Sequence, residues 1–295
     1  MSRTFRHLAS GVCCLLMACA APQVQHYPPA AAEKAALPEK SWLPEGKPKA
    51  VIVALHGFND YSKAFAGAGK FFRTHGIAVI AYDQRGFGST PDVGIWPGRE
   101  NLISDARRHV LQAKHRWPRV PVYLLGESMG GAVAIVALAD PAFPKVQGVI
   151  LAAPALWGDG TMNPLNRALL WLLAHSVPSG KLSGKELHIL ASDNIPMLRR
   201  LAADPLVIKA TRVDAIYGLM QLMDDAYDNV PDVKTPVLLL YGAHDEIIPR
   251  AAINACRPRF TAPMAYRYYP HGYHMLLRDL EGKRVMTDIL KWIQR

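Results

Sequence analysis

The sequence predicts an α/β domain: a mostly parallel sheet with helices on both faces and a helical cap insertion above it. Three observations predict it. Short apolar runs recur between residues 51 and 269, stretches of helical spacing fill most of the gaps between them, and the alternation stops between about 155 and 230. With 295 residues, half of them hydrophobic, the chain can bury a substantial core, as one large domain or one domain with an insertion.

The first segment stands apart. MSRTFRHLASGVCCLLMACA has two early arginines, an apolar run over 8–18 and then small residues, the pattern of an export signal. Its apolar run is too short to span a bilayer reliably. LMAC (16–19) resembles the cleavage box of bacterial lipoproteins, with Met17 where the box usually has a smaller residue. That resemblance implies a signal peptide over 1–18, acylation of Cys19, and a location in the cell envelope as a membrane-anchored lipoprotein. Residues 23–49 are rich in Ala, Pro, Lys and Glu without a sustained period, so 19–49 reads as a tether to a folded body over 50–295. Removal of Cys13 and Cys14 with the signal and acylation of Cys19 would leave Cys256 alone, which rules out a disulfide framework and reads as a small packing residue.

Within the body the predicted strands are VIVAL (51–55), IAVIAY (77–82), VPVYLL (120–125), VQGVILAA (146–153), PVLLLY (236–241) and AYRYY (265–269). Helical spacing marks 62–75, 99–117, 129–139 and 282–294. In the cap, about 155–230, ALLWLLAHSVP and LMQLMDDAYD read as helices. The formal charge of +10, two of it from Arg3 and Arg6, is spread along the chain without a polybasic block. Nucleic-acid binding is therefore unsupported; the charge suits either anionic headgroups or a plain solvated surface.

Ligands of open parallel sheets sit beyond the carboxyl ends of the strands, and Ser128 follows VPVYLL directly there. Gly126-Glu127-Ser128-Met129-Gly130 matches G-x-S-x-G, a sharp strand-to-helix turn at which close approach excludes side chains from both glycine positions. A serine hydroxyl needs a base and a group to orient that base. YGAHDEIIP (241–249) offers Asp245 and Glu246 after one strand; HGYHMLLRD (271–279) offers His271 and His274 after the next. The order Ser, acid, His is kept with any of these choices. VIVALHGFND supplies a glycine loop after an early strand, so the N–H groups of Phe58 and Met129 are the expected oxyanion donors. Neither a metal nor an organic cofactor is required by this chemistry.

Together HGFND, YDQRGFGSTP (82–91), GESMGG, GAHDEIIP and HGYHMLLRD resemble the α/β-hydrolase superfamily, in its monoacylglycerol lipase and lysophospholipase-like branch, also described as serine aminopeptidase-like. The resemblance runs from about residue 50 to 295. It implies Ser128, Asp245 and His274 as the catalytic set, chosen over Glu246 and His271, with Asp83 and Arg85 bracing loops. SDNIPMLRRLAADPLVI (192–208) is similar to a segment of bacterial members. Relatives begin with an antiparallel hairpin, of which only KSWLP (40–44) resembles a strand.

The implied activity is hydrolysis of monoacylglycerols, lysophospholipids or similar single-chain lipid esters through an acyl-enzyme, near a membrane surface. A short-chain esterase, an acyltransferase, a peptidase and a non-catalytic envelope binding lipoprotein stand as alternatives. Leu169, Leu170, Trp171, Leu172, Leu173, Leu219, Met220, Leu222 and Met223 of the cap either line an acyl-chain pocket or pack the cap onto the core.

Overall fold

A computed structural model describes residues 36–156, 163–184 and 189–295. The signal segment, Cys19 and the first part of the tether lie outside the described residues. The folded body begins at β1 (Glu39–Trp42), inside the stretch read as tether.

Six parallel strands follow the predicted apolar runs: β2 (Ala50–Leu55), β3 (Ile77–Tyr82), β4 (Val122–Glu127), β5 (Gly148–Ala152), β8 (Val237–Gly242) and β9 (Met264–Tyr269). All but β9 are buried along their whole length, which is why they read as unbroken apolar runs rather than alternating ones. Among the described residues the sheet order is β1-β3-β2-β4-β5-β8-β9, and β1 alone runs antiparallel, paired with β3 rather than with its sequence neighbour β2. Among the described residues KSWLP therefore supplies the edge strand of the sheet, and any hairpin partner preceding it lies outside them. Trp42 anchors that edge by lying against Gly69 of α1 (Ala66–Thr74), where a Cβ would stand 2.2 Å from the indole.

Apolar residues cover both faces of the sheet. On one side α2 (Arg99–Arg116) and α3 (Met129–Ala139) pack over Val51, Val53, Leu55 and Leu124; on the other, α1 and α8 (Gly282–Ile293) pack over Ile52, Val79, Leu125 and Ile150. A short helix, α7 (Arg250–Cys256), lies between β8 and β9 and buries Cys256 completely.

Between β5 and β8 the chain builds the cap: α4 (Pro164–Ser176), β6 (Lys181–Ser183), α5 (Ile195–Ala203), β7 (Ala210–Arg212) and α6 (Val213–Asn229). The small antiparallel pair β6–β7 was not anticipated; each strand has three residues and no apolar run. Helix α6 lies on α3, and α4 lies on α6. Among the described residues no helix is long and apolar enough to cross a membrane.

Candidate active site

Ser128 stands between β4 and α3 at φ 53°, ψ −117°, a conformation in which a residue with a Cβ is strained. Its surroundings fix it there. The Ser128 N–H donates to the Ala152 carbonyl (3.0 Å), and its own carbonyl accepts from Gly131 and Ala155 (2.9 and 3.0 Å). The flanking glycines are dictated by backbone crowding: a Cβ on Gly126 would lie 2.4 Å from the Gly130 oxygen, and one on Gly130 only 2.0 Å from the Leu55 oxygen. The small residues thus let the elbow press against β2 with the serine facing outward.

Asp245 follows β8 and His274 follows β9, and the fold brings their side chains together. The His274 Nδ1–H donates to Asp245 Oδ2 at 2.9 Å, with both groups buried. The other carboxylate oxygen, Oδ1, accepts from the Ile247 and Ile248 N–H groups, each at 2.9 Å. With its proton held at Nδ1, the neutral imidazole keeps Nε2 as an acceptor. Ser128 and His274 border the same cavity, of about 390 Å³. The neighbouring candidates point elsewhere: Glu246 is exposed and accepts from the Leu190 N–H, His271 is exposed, and His244 stacks on Tyr273.

The loop after β2 crosses close to the serine, since a Cβ on Gly57 would stand 3.3 Å from the Ser128 Cβ. His56 holds this loop from beneath. Its Nδ1–H donates to the Gly57 carbonyl (2.8 Å), while Nε2 accepts from the Gln84 N–H (2.9 Å). Complete burial keeps its pKa below the ordinary histidine value, in keeping with that neutral tautomer. Among the described residues no backbone carbonyl accepts from the Phe58 or Met129 N–H, and Met129 opens α3, where the helix dipole favours negative charge. Asn59, at φ 64°, links the loop to the cap by donating from Nδ2 to the Thr211 hydroxyl at 2.7 Å.

Asp83 and Arg85 do brace loops. Asp83 accepts from the Ser62 and Ser89 N–H groups, and Arg85 forks onto Asp105 in a fully buried pair. The segment that opens with Ser192 also has a structural partner. Ser192 donates to Asp279, Asn194 donates to the Arg278 carbonyl, and the Asp193 carboxylate accepts from the Leu280 N–H, so the cap holds the histidine loop.

Of the cap residues considered from sequence, Leu170, Leu219, Met220 and Met223 line the cavity, joined by Ile216. Leu169, Trp171 and Leu172 face outward and are about half exposed, while Leu222 is buried in the core. The cavity is also lined by Asp60, Glu127 and Arg278, a cluster that motif reading did not single out although each member lies inside a recognised motif.

A strained serine on an elbow, a histidine oriented by a buried carboxylate and a cavity joining them can perform nucleophilic attack on a carbonyl. The family described as serine aminopeptidase, S33, matches residues 46–281. The chain belongs to this family. It is a serine hydrolase, and its mostly parallel seven-stranded sheet is that of the α/β-hydrolase fold. This S33-family chain is 25% identical to the monoacylglycerol lipase of Mycolicibacterium smegmatis over 259 residues, covering 85% of the chain and 90% of the relative. It is 26% identical to the monoglyceride lipase of Rattus norvegicus over 262 residues, covering 85% and 84% respectively. The crystal structure of Paleococcus ferrophilus monoacylglycerol lipase superposes with a TM-score of 0.74 at 22% identity, over 88% of this chain and 98% of that one.

Proposed function

We propose that this serine hydrolase cleaves carboxylic esters of single acyl chains, monoacylglycerols or lysophospholipids among them, through an acyl-enzyme on Ser128. His274 Nε2 takes the Ser128 proton as Oγ attacks the ester carbonyl, and Asp245 stabilises the resulting imidazolium. The oxyanion is met by the Phe58 and Met129 N–H groups. Collapse of the intermediate releases the alcohol, which leaves with the proton from His274; water then repeats the sequence and frees the acid.

The observation that carries the reading is the cavity. Leu170, Ile216, Leu219, Met220 and Met223 line it together with Ser128, so a chain of methylenes finds apolar surface in the same cavity as the serine. The lipase names of the relatives support the same substrate class. Anchoring at a membrane through Cys19, inferred from LMAC, would hold the enzyme beside such substrates, and the outward Leu165, Leu169, Trp171 and Leu172 suit work at a lipid surface.

The test is hydrolysis of p-nitrophenyl esters from short to long acyl chains by wild type and Ser128→Ala. Activity rising with chain length to a medium or long optimum, and reduced more than about 1,000-fold in the variant, is the expected result. A short-chain optimum would replace the lipase reading with that of a small-ester esterase. No hydrolysis and no fluorophosphonate labelling of the folded wild type would overturn both. The mass of the mature chain used in the assay reads the anchor as well: an unmodified chain that starts beyond residue 20 removes it.

A further inference from the structure

Arg278 lies four residues beyond His274, and its guanidinium reaches two buried carboxylates from different parts of the chain. Nη1 donates to Asp60 Oδ2 at 2.6 Å and Nη2 donates to Glu127 Oε1 at 3.0 Å. Asp60 and Glu127 are 5% and 2% exposed. Each carboxylate belongs to a segment that carries part of the reaction. The Asp60 N–H donates to the Gly57 carbonyl (3.3 Å), closing the turn that contains Phe58, and Glu127 is bonded directly to Ser128.

Arg278 is itself held in place. Its N–H donates to the Met275 carbonyl (2.7 Å), its carbonyl accepts from Asn194, and the next residue, Asp279, accepts from the Ser192 hydroxyl and the Tyr273 N–H. One planar cation therefore joins the oxyanion loop, the nucleophile elbow and the histidine loop. The geometry calls for a fork: two carboxylates approach separate nitrogens of one plane, which an ammonium on a flexible stem does not reproduce. The Glu127 Oε2 atom is buried and has no protein partner, so removal of the arginine would leave two carboxylates facing each other next to Ser128 with no cation between them.

We propose that Arg278 is a positioning residue for the ester hydrolysis, fixing the spacing of the Phe58 amide, Ser128 and His274 by clamping Asp60 and Glu127. The proposal rests on the roles given to Ser128 and His274 above. Arg278 also borders the cavity, so a direct contact with the substrate alcohol is the rival explanation, and the two differ in what they do to kcat and KM.

The experiment measures both constants, on an ester that wild type turns over, for Arg278→Ala and Arg278→Lys, each checked for folding by near-UV circular dichroism. The clamp predicts that kcat falls about 100-fold in Arg278→Ala, with KM within about two-fold of wild type, because loosened geometry is felt in the transition state. Arg278→Lys should recover only part of the loss. Free guanidinium at a non-denaturing concentration should restore activity to Arg278→Ala and leave wild type unchanged. Should Arg278→Ala fail to fold, Asp60→Asn and Glu127→Gln, which keep side-chain shape and each weaken one arm, decide the matter by the same kcat loss. A rise in KM at unchanged kcat, or kcat at wild-type level in every folded variant, overturns the clamp. A wild type that cleaves no ester fails the parent reading instead, before any variant is compared.

Discussion

Asp245 and Glu246 are adjacent carboxylates that the turn after β8 sends in opposite directions, one inward to His274 Nδ1 and the other outward to the Leu190 N–H. An asparagine at 245 could keep Oδ1 as acceptor for Ile247 and Ile248 but would present its NH₂ to the imidazole. The ring would then carry its proton on Nε2, the atom that the proposed mechanism needs free as base. We expect Asp245→Asn to lower kcat about 10,000-fold with little change in thermal midpoint, and Glu246→Gln to stay near wild type; steady-state assays and a melting curve check both. At this scale the sequence was informative wherever a residue sat inside a motif of known order. Ser128, Asp245 and His274 were singled out in this way, the choice over Glu246 and His271 coming from resemblance and not from spacing, and the structure pairs Asp245 with His274 and sets His274 beside Ser128 on one cavity. Arg278, Asp60 and Glu127 were also inside motifs, yet their pairing joins positions 218 and 151 residues apart, and nothing local marks a partner so distant.

At the scale of elements, the long apolar strands were plain because burial on both sheet faces leaves unbroken apolar runs; the helix over 99–116 alternates buried and charged positions, and the one over 129–139, apolar all round and buried, was marked by its place after the serine turn and its long run of helix-compatible small and apolar residues. The short pieces were not. Helix α7 has seven residues, and β6 and β7 are held by three pairs of residues in partly exposed backbone, too few to impose a period. Glycine placement shows which contacts between elements are rigid. At Gly130 an added Cβ would meet the Leu55 carbonyl at 2.0 Å, an obstacle made of the backbone of β2. At Gly218 of α6 it would meet the Trp96 ring at 2.3 Å, an obstacle made of a side chain. Gly218→Ala should therefore cost about 1–3 kcal/mol, and Gly130→Ala more than about 3 kcal/mol or the folded state altogether. Urea midpoints of the two variants give the ranking, and a Gly130→Ala protein as stable as wild type would contradict the crowding at the elbow.

Across the whole molecule, stability toward acid is expected to depend on a buried histidine that does not line the cavity. His109 of α2 is 4% exposed, stacks on Tyr82 with ring centroids 3.7 Å apart, and donates from Nδ1 to the Asp105 carbonyl. Burial pushes its pKa down to about 4. The unfolded chain binds that proton near pH 6.5, the folded one only near 4, so the contribution is fully present above about 6.5 and is lost as pH falls through that interval. Between pH 7 and 4 wild type should lose about 3 kcal/mol more than His109→Phe, which keeps an aromatic stack but cannot titrate. Denaturant midpoints at the two pH values measure the difference, and equal losses would contradict it. Helix α6 links this core to the cavity beside Ser128: Leu222 and Ala226 are buried in the hydrophobic core, while Ile216 and Leu219 line the cavity. Under the proposed reaction, selection for a new acyl chain and selection for a stable fold thus act on one helix, where adaptive changes carry structural side effects. Leu170 on α4 touches the cavity without belonging to the buried core, so under the same proposal divergence in chain-length preference has its freest path through that outer helix.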